Sequence, residues 1–191
     1  MATLTERAII GAMLELLEQR RLDKITVKDI ADTCGINRNT FYYHFEDTRA
    51  VVKTILRNET ERIFSEYTEP DSWQDGFIAA AQFALSNKKI ILHLYHSNCR
   101  DELEQYLKDI AKEVMVRFVK KATEGHLVSS DDCELVCNFY TCGLCGITMD
   151  WIECGMTEDP KSTIQKLGEL LEGNILAALT KEPKGISESI R

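Results

Sequence analysis

Proline and glycine are scarce in this chain, and their scarcity is what most limits the possible folds. The 191 residues contain 3 prolines and 10 glycines, so few positions can break a helix. Apolar residues recur at steps of three and four, the spacing of a helix with one buried face. Alternating β-branched runs, which would predict strands, are few. The pattern predicts an all-α protein with about nine helices.

Breaks and capping residues indicate where these helices begin and end. The expected helices span about 4–20, 27–34, 38–44, 47–67, 72–85, 87–96, 100–124, 131–154 and 160–180. The predicted caps are Thr26 with Asp29 as a capping box, Asn37, Asp47, Ser72, Ser86 with Asn87, and Asp159 before Pro160.

The overall composition is that of a soluble globular protein, with 44% hydrophobic and 28% charged residues. Uninterrupted apolar stretches are too short to cross a bilayer, and the first residues lack the apolar core of a signal peptide. Seven cysteines without such a signal indicate reduced thiols. We therefore expect a cytoplasmic protein with no membrane segment.

The net charge of −8 argues against nonspecific binding of nucleic acid, but the charge is unevenly distributed. Residues 1–57 hold nine Lys or Arg and eight Asp or Glu, a net charge of +1. Residues 58–191 hold fourteen and twenty-three, a net charge of −9. The acidity belongs to the second part, so the first part is considered separately.

Residues 25–52 contain two short predicted helices that meet at Gly35. Ala31 lies four residues before this glycine, where a small side chain lets the two helices approach closely. The side chains spaced to pack the pair against the first helix are Ile30, Ile36, Phe41 and Phe45. This arrangement predicts a helix-turn-helix.

The second helix of this unit has an outward set of hydrogen-bonding side chains and no acid. The set is Asn37, Arg38, Asn39, Thr40, Tyr42, Tyr43 and His44. Arg and Asn make paired contacts to guanine and adenine edges, and Thr, Tyr and His suit phosphate oxygens and thymine methyl groups. The pattern favours binding of DNA; the alternative is a polar helix that only faces water.

The segment from Thr26 to Phe45, together with the amphipathic helix before it, resembles the DNA-binding domain of the tetracycline-repressor (TetR) family. The resemblance rests on Thr26-Val, Ile30-Ala31, Gly35-Ile36 and Thr40-Phe-Tyr-Tyr-His-Phe45. The resemblance implies that Thr26 and Lys28 lie near phosphates. It places Arg38, Asn39 and Thr40 at bases or backbone, and Tyr42, Tyr43 and His44 at the backbone. The family often has Lys at the position of Thr48, so Arg49 is the nearest cation. This difference predicts weaker, less salt-sensitive binding.

The resemblance also implies a domain organisation and a function. Residues 1–48 would form a three-helix DNA-binding domain, residues 49–181 a helical ligand-binding and dimerisation domain, and residues 182–191 a frayed tail. The expected protein is a homodimer on a near-palindromic operator in double-stranded DNA, controlled by an unidentified small-molecule effector. Repression is the family's usual outcome. Activation is the alternative, because the carboxy-terminal pattern loosely resembles a branch that includes an activator of dihydroxyacetone-kinase operons.

The helix at 131–154 is apolar nearly all round, which predicts burial on all sides and, in a chain this small, contact with a partner subunit. Together with the stripe of the last helix, it predicts a four-helix dimer interface. The predicted interface residues are Phe139, Gly143, Gly146, Ile147, Trp151, Ile164, Leu167, Leu171 and Ile175. The alternative is that both helices belong to the core of one subunit.

An effector pocket is expected between the helix at 48–67 and the middle helices. Its candidate residues are aromatic: Phe64, Tyr67, Trp73, Phe77, Tyr95, Phe118, Phe139 and Tyr140. His93 and His96, with Tyr95, are weaker candidates: they would line a pocket or cap a helix end.

Four cysteines on the helix at 131–154 suggest a metal or redox site, but their angular positions do not fit one. Cys133 and Cys137 lie on one side of the helix, and Cys142 and Cys145 lie well round from it. One helix cannot gather all four round a zinc ion, although pairs from two subunits could. We expect no metal and no cofactor.

Two further functions remain as alternatives. A co-regulator that acts mainly through protein contacts would fit the acidic second part. A small helical enzyme with a Cys or His nucleophile would need a nucleophile, a base and an orienting group at a recognisable spacing, which the sequence does not contain.

Overall fold

A computed structural model of the chain describes residues 3–66, 73–171 and 174–180. Within these ranges the protein is all-α, as predicted, with one 3-10 turn at Leu22–Lys24. The helices are α1 (Leu4–Gln19), α2 (Val27–Cys34), α3 (Arg38–His44), α4 (Thr48–Glu66), α5 (Trp73–Ser86), α6 (Lys88–Tyr95), α7 (Arg100–Ala122), α8 (Ser130–Glu153), α9 (Pro160–Leu171) and α10 (Asn174–Thr180).

The helix bounds agree with the sequence to within a few residues. The expected helix at 160–180 is described as α9 and α10, on either side of residues 172–173. The candidate pocket residue Tyr67, the Ser72 cap and the tail at 182–191 lie outside the described residues.

Most of the predicted caps form hydrogen bonds to the first turn of their helices. The side chains of Thr26, Asn37, Asp47 and Asp159 each accept a backbone N–H. Asn87 is the residue before α6, as predicted, but its side chain does not cap the helix. Its φ of −113° and ψ of 28° are not the extended conformation of a capping residue, and its side chain donates to the C=O of Phe83 in α5.

The buried side chains form one continuous hydrophobic cluster that runs from α1 to α10. The buried face of α1 includes Ile9, Met13 and Leu17, and α1 contacts α2, α4 and α6. The three N-terminal helices are therefore packed on the rest of the chain through α1 and α4, and do not form an isolated unit.

The longest helix pair is α7 with α8, which pack along each other. The buried residues of α7 recur at helical spacing, whereas α8 buries Cys137, Thr141, Leu144 and Ile152. Within the single subunit α8 is buried on one face, and burial of its other face by a partner subunit stays a prediction. Leu135 and Phe139 of α8 are 69% and 72% exposed, because α7 covers one face of the helix and not the other.

Among the described helices, α8 is long and apolar enough to cross a bilayer, with a mean hydropathy of 1.2 over its best window. Many helices in the cores of soluble proteins are equally long and apolar. Here α8 begins with Asp131 and Asp132 and buries one face on α7. Its composition is therefore weak evidence for a membrane span.

All seven cysteines are free thiols, and in the described ranges no group of three or more His, Cys, Asp or Glu side chains is placed to hold a metal ion. Burial raises the pKa of Cys99 to about 12 and that of Cys145 to about 11. Cys154 is exposed at the end of α8.

These environments predict a clear order of thiol reactivity. At pH 8 we expect iodoacetamide to modify Cys154 well before Cys99 and Cys145. The raised pKa keeps the thiols of buried Cys99 and half-buried Cys145 protonated, and the thiolate is the reactive form. Peptide mass spectrometry after brief labelling of the native protein measures the order. Equally fast labelling of Cys99 in the folded protein would contradict it, and labelling in denaturant is the control.

Candidate nucleic-acid interface and effector cavity

A capping box and a left-handed glycine determine how α2 and α3 meet. The Thr26 hydroxyl accepts the Asp29 N–H at 3.2 Å, and the Asp29 carboxylate accepts the Thr26 N–H at 2.8 Å. The Thr26 hydroxyl, and then its backbone N–H, lower the pKa of Asp29. Helix α2 ends at Gly35, whose φ of 72° is in the left-handed region that favours glycine. The Asn37 side chain then accepts the Thr40 N–H at 2.8 Å and begins α3.

One side of α3 is held in the core by two aromatic rings. Phe41 is fully buried and Phe45 nearly so, with their ring centres 6.1 Å apart. Both belong to the hydrophobic cluster that includes Ile9 and Met13 of α1. The orientation of α3 is therefore set by packing, and its opposite side faces outward.

The outward side of α3 presents Arg38, Asn39, Tyr42 and Tyr43, all exposed. Tyr43 is 86% exposed and Tyr42 is 56% exposed, far more than is usual for aromatic side chains without a partner. No carboxylate lies within α3. A rigid helix with this face can enter a DNA major groove and contact base edges and phosphates.

Three other predicted residues of this helix are engaged within the subunit. The Asn37 side-chain oxygen accepts the Thr40 hydroxyl at 3.1 Å in addition to the N–H. His44 is half-buried, and its Nδ1 lies 3.7 Å from the Glu6 carboxylate of α1. The histidine therefore links the end of α3 to α1, a contact that the sequence did not predict.

The predicted phosphate contacts lie at the starts of α2 and α4. Thr26 and Lys28 are exposed, and Thr48 is half-buried as the first residue of α4. Arg49 was the nearest cation expected beside Thr48. Its guanidinium donates to the Asn98 C=O at 2.7 Å and lies 3.3 Å from the Glu102 carboxylate. Arg49 is therefore bound to the α6–α7 junction.

A second polar contact joins the helix-turn-helix unit to the rest of the chain. His93 of α6 places its Nδ1 2.6 Å from the C=O of Leu17, in the last turn of α1. With Arg49, this gives the α6–α7 region one contact on α1 and one on α4. The α6–α7 region is therefore joined by hydrogen bonds to the end of α1 and to the start of α4.

An apolar cavity of about 280 Å³ lies between α5, α7, α8 and the segment from Cys154 to Leu167. Its walls include Phe77, Phe83 and Ala84 of α5, Leu103, Tyr106 and Ile110 of α7, and Leu144, Ile147 and Trp151 of α8. The C=O of Glu158 accepts the indole N–H of Trp151 at 2.9 Å, which holds the segment after α8 against the cavity.

Of the predicted pocket residues, Phe77 lines this cavity. Trp73 and Tyr95 are buried elsewhere in the core, and Phe64 and Phe118 are partly buried, with the Arg117 guanidinium 5.0 Å from the Phe64 ring centre. Phe139 is exposed and Tyr140 half-buried on α8. Phe83, Leu103 and Tyr106 also line the cavity and were not among the predicted residues. Their helical spacing on α5 and α7 indicates a buried face, but the spacing alone does not distinguish residues that line a cavity from residues packed in the core.

The exposed face of α8 forms a stripe that we call the α8 stripe: Leu135, Phe139, Gly143, Gly146 and Ile147. A side chain added at Gly143 or Gly146 would meet no atom within 4 Å. The stripe is therefore apolar, open and flat at its centre, which suits close approach by another helix.

The predicted interface residues outside the α8 stripe are buried within the subunit, half-buried or part of the cavity wall. Ile164 and Ile175 are buried within the subunit, so they have no surface to offer a partner, and this part of the prediction is corrected. Ile164, Leu167 and Trp151 line the cavity, as does Ile147 of the stripe. Leu171 is half-buried at the end of α9.

Two family models match the chain. Residues 9–55 match the model described as bacterial regulatory proteins, tetR family, and residues 71–173 match a transcriptional regulator C-terminal region. The first match contains the whole helix-turn-helix unit, and the second covers more than half of the chain.

Whole-length similarity extends over both parts. The dhaKLM operon transcriptional activator DhaS of Lactococcus lactis is 21% identical over 92% of this chain and 91% of its own length. A solved structure of the dihydroxyacetone kinase operon activator DhaS has a TM-score of 0.73, with 17% identity over 94% of this chain and 100% of that one. The regulator FadR from Bacillus subtilis, in complex with stearoyl-CoA, has a TM-score of 0.61, with 16% identity over 87% and 97%.

Proposed function

This chain belongs to the TetR family of bacterial transcriptional regulators, and we propose that it binds a near-palindromic operator as a homodimer whose affinity a small molecule changes. It is a regulator rather than an enzyme, because the family consists of regulators and the full-length relatives are named as such. It would then bind double-stranded DNA in the cytoplasm.

The observation that carries this proposal is the exposed face of α3. Four hydrogen-bonding side chains point outward from a helix whose other side is fixed by Phe41 and Phe45. Nothing in the described part of the subunit covers this face. Phosphate contacts from Thr26, Lys28 and the tyrosines would position the helix, and Arg38 and Asn39 would read base edges.

The α8 stripe supports the homodimer. Exposed Leu135 and Phe139 are too apolar for a solvated helix face, and Gly143 and Gly146 permit close contact. Two α8 helices related by a two-fold axis would bury the stripe against itself. Two α3 helices could then enter successive major grooves, about 34–36 Å apart.

The cavity supports control by a ligand. Tyr106 lines it, and the charges of Glu59 and Arg62 on α4 act on the pKa of the same tyrosine, which burial raises above its ordinary value. A ligand that binds one arrangement of α4 and α7 more tightly than another would shift the spacing of the two α3 helices.

We propose repression as the sign of regulation, with activation as a second candidate. The activator named DhaS is similar to this chain over nearly its whole length, which favours the second candidate. The two signs are separated by transcription in vitro from a promoter that carries the selected operator. Repression predicts less transcript on addition of the protein, and activation predicts more.

The test of DNA binding is selection from a random duplex library with the purified full-length protein at moderate salt. We expect an enriched palindrome with fixed half-site spacing. Failure to enrich any sequence, with and without cell extract as a source of effector, would contradict the proposal. A stable complex with another protein in the same extract would then favour a co-regulator.

A further inference from the structure

The cavity between α5, α7 and α8 has walls that are mostly hydrocarbon. Every lining side chain of α5 and α6 is apolar, and so is every lining side chain of α7 except Tyr106. Burial is the largest cause that raises the pKa of Tyr106 above its ordinary value, so its hydroxyl carries no charge at neutral pH. These three helices therefore offer a ligand apolar contact.

The hydroxyl and indole donors of α8 at the cavity already have partners within the protein. The Thr148 hydroxyl donates to a backbone C=O of the preceding turn of α8 at 2.8 Å, and the Trp151 indole N–H donates to the Glu158 C=O at 2.9 Å. Thr157 and Thr163, which line the cavity after α8, are exposed to solvent. A polar ligand would lose its hydrogen bonds to water and would have to compete with these partners to replace them.

The charged groups at the cavity are of both signs and are exposed to solvent. Asp150 and Glu158 are exposed lining residues. The Arg62 guanidinium lies 5.4 Å from the ring centre of the lining residue Phe83, and its Nε donates to the Glu59 carboxylate at 2.8 Å. The Arg62 side chain is 46% exposed. Because water screens exposed charges, these groups are weak partners for an ion inside the cavity, which would lose its own hydration.

The volume of the cavity limits the size of the ligand. A cavity of about 150 Å³ lined by Leu, Ile and Phe stays dry and binds one benzene ring. The volume here, about 280 Å³, is roughly twice as large and lies at the small end for ligand sites. The walls therefore fit a molecule of two fused rings.

Resting on the proposed regulatory function, we propose that the effector is a neutral, compact apolar molecule of about ten carbon atoms. Its rings would lie among Phe77, Phe83 and Trp151, the aromatic side chains that α5 and α8 contribute to the wall. Binding would remove apolar surface from water and would leave the hydrogen bonds of Thr148 and Trp151 intact. Cations and anions of the same size would both be disfavoured, because each would have to leave water.

The first test compares three probes that share one ring system: naphthalene, 2-naphthylmethylamine and 2-naphthoate. Equilibrium dialysis against the full-length protein at neutral pH, where the amine and the carboxylate are ionised, measures their affinities. We expect naphthalene to bind at least about tenfold more tightly than either ion, because the ions pay for lost hydration. Binding of either ion as tight as that of naphthalene, or no binding of naphthalene, would overturn the proposal.

The second test fills the cavity from α5. Half-buried Ala80 and buried Ala84 both line it, so Ala80→Leu and Ala84→Leu each place a larger apolar side chain in the wall. We expect each to lower the affinity for naphthalene at least about tenfold, because the added side chain takes the volume that the rings need. Ala8→Leu, at an exposed position of α1 away from the cavity, is the matched control and is expected to bind naphthalene as the wild type does.

Circular dichroism checks that each variant keeps the helical content of the wild type. Wild-type affinity for naphthalene in both folded cavity variants would overturn the proposal, and the three probes on the wild-type protein decide it if a variant does not fold. Operator selection is scored separately. A protein that selects DNA but binds naphthalene no better than the two ions contradicts only this inference, whereas one that binds naphthalene but selects no DNA contradicts the proposed function.

Discussion

Replacing Tyr42 with alanine is expected to weaken operator binding at least about 100-fold without unfolding the protein. A hydrogen bond to a charged group contributes about 1.5–3 kcal/mol, and a symmetric dimer loses the contact twice, about 3–6 kcal/mol in total. Because Tyr42 is 56% exposed, its removal should change stability by no more than about 0.5 kcal/mol. Fluorescence anisotropy with the selected operator measures affinity, and circular dichroism measures the fold.

Two further variants make this prediction specific. Tyr42→Phe removes only the hydroxyl and is expected to reproduce most of the loss. Leu4→Ala removes a large, 85% exposed side chain of α1, in the same proposed DNA-binding domain, and is expected to leave affinity unchanged. Wild-type affinity in Tyr42→Ala, or an equal loss in Leu4→Ala, would remove α3 from the DNA interface. His44→Ala is a poorer test, because His44 also contacts Glu6.

The helix-turn-helix could be predicted from the sequence because its determinants are local. The capping box at Thr26 and Asp29, the break at Gly35 and the cap at Asn37 each act on a residue no more than four positions away, and each is present as predicted. The buried Phe41 and Phe45 follow from helical spacing. The side of α3 opposite these two rings must then face outward, so its polar residues could be predicted from the sequence.

The cavity could not be predicted in the same way, because it depends on how four separate segments pack. Aromatic residue type was a poor guide: Trp73 and Tyr95 fill core positions, whereas Phe83 and Tyr106 line the cavity. The apolar pattern of α8 was visible, but periodicity does not say which apolar face another helix of the same subunit covers. The burial of Ile164 and Ile175 within the subunit has the same cause.

The contacts of Arg49 and His93 also lay beyond sequence reasoning, and they connect the two proposed activities. Arg49 reaches 49 residues along the chain to Asn98, and His93 reaches back 76 residues to Leu17. The first contact starts from α4, which follows α3 in the chain, and the second ends on α1, whose Ile9 and Met13 share a hydrophobic cluster with Phe41 of α3. A ligand between α5, α7 and α8 could therefore alter the position of α3 through α6 and the start of α7, without touching the DNA-binding unit.

A substitution at Gly146, near the centre of the α8 stripe, is expected to have a large effect on self-association. Gly146→Leu is expected to weaken self-association at least about 30-fold, because overpacking a tight contact costs about 1–3 kcal/mol and the two-fold axis doubles it. Within one subunit a Cβ atom at this position meets no atom within 4 Å. Leucine also has the better helix propensity, by roughly 0.8 kcal/mol, so the subunit itself should be slightly more stable.

This combination separates an interface effect from a folding effect. Gly11→Leu is the matched control, since Gly11 is an exposed helical glycine of α1 with equally open space. Sedimentation equilibrium is expected to give wild-type self-association for Gly11→Leu and mostly monomer for Gly146→Leu, both with wild-type helical content. Because a monomer presents one α3 helix, Gly146→Leu should also lose binding to the full palindrome. A Gly146→Leu protein that associates as tightly as the wild type would place the dimer contact on a surface other than the α8 stripe.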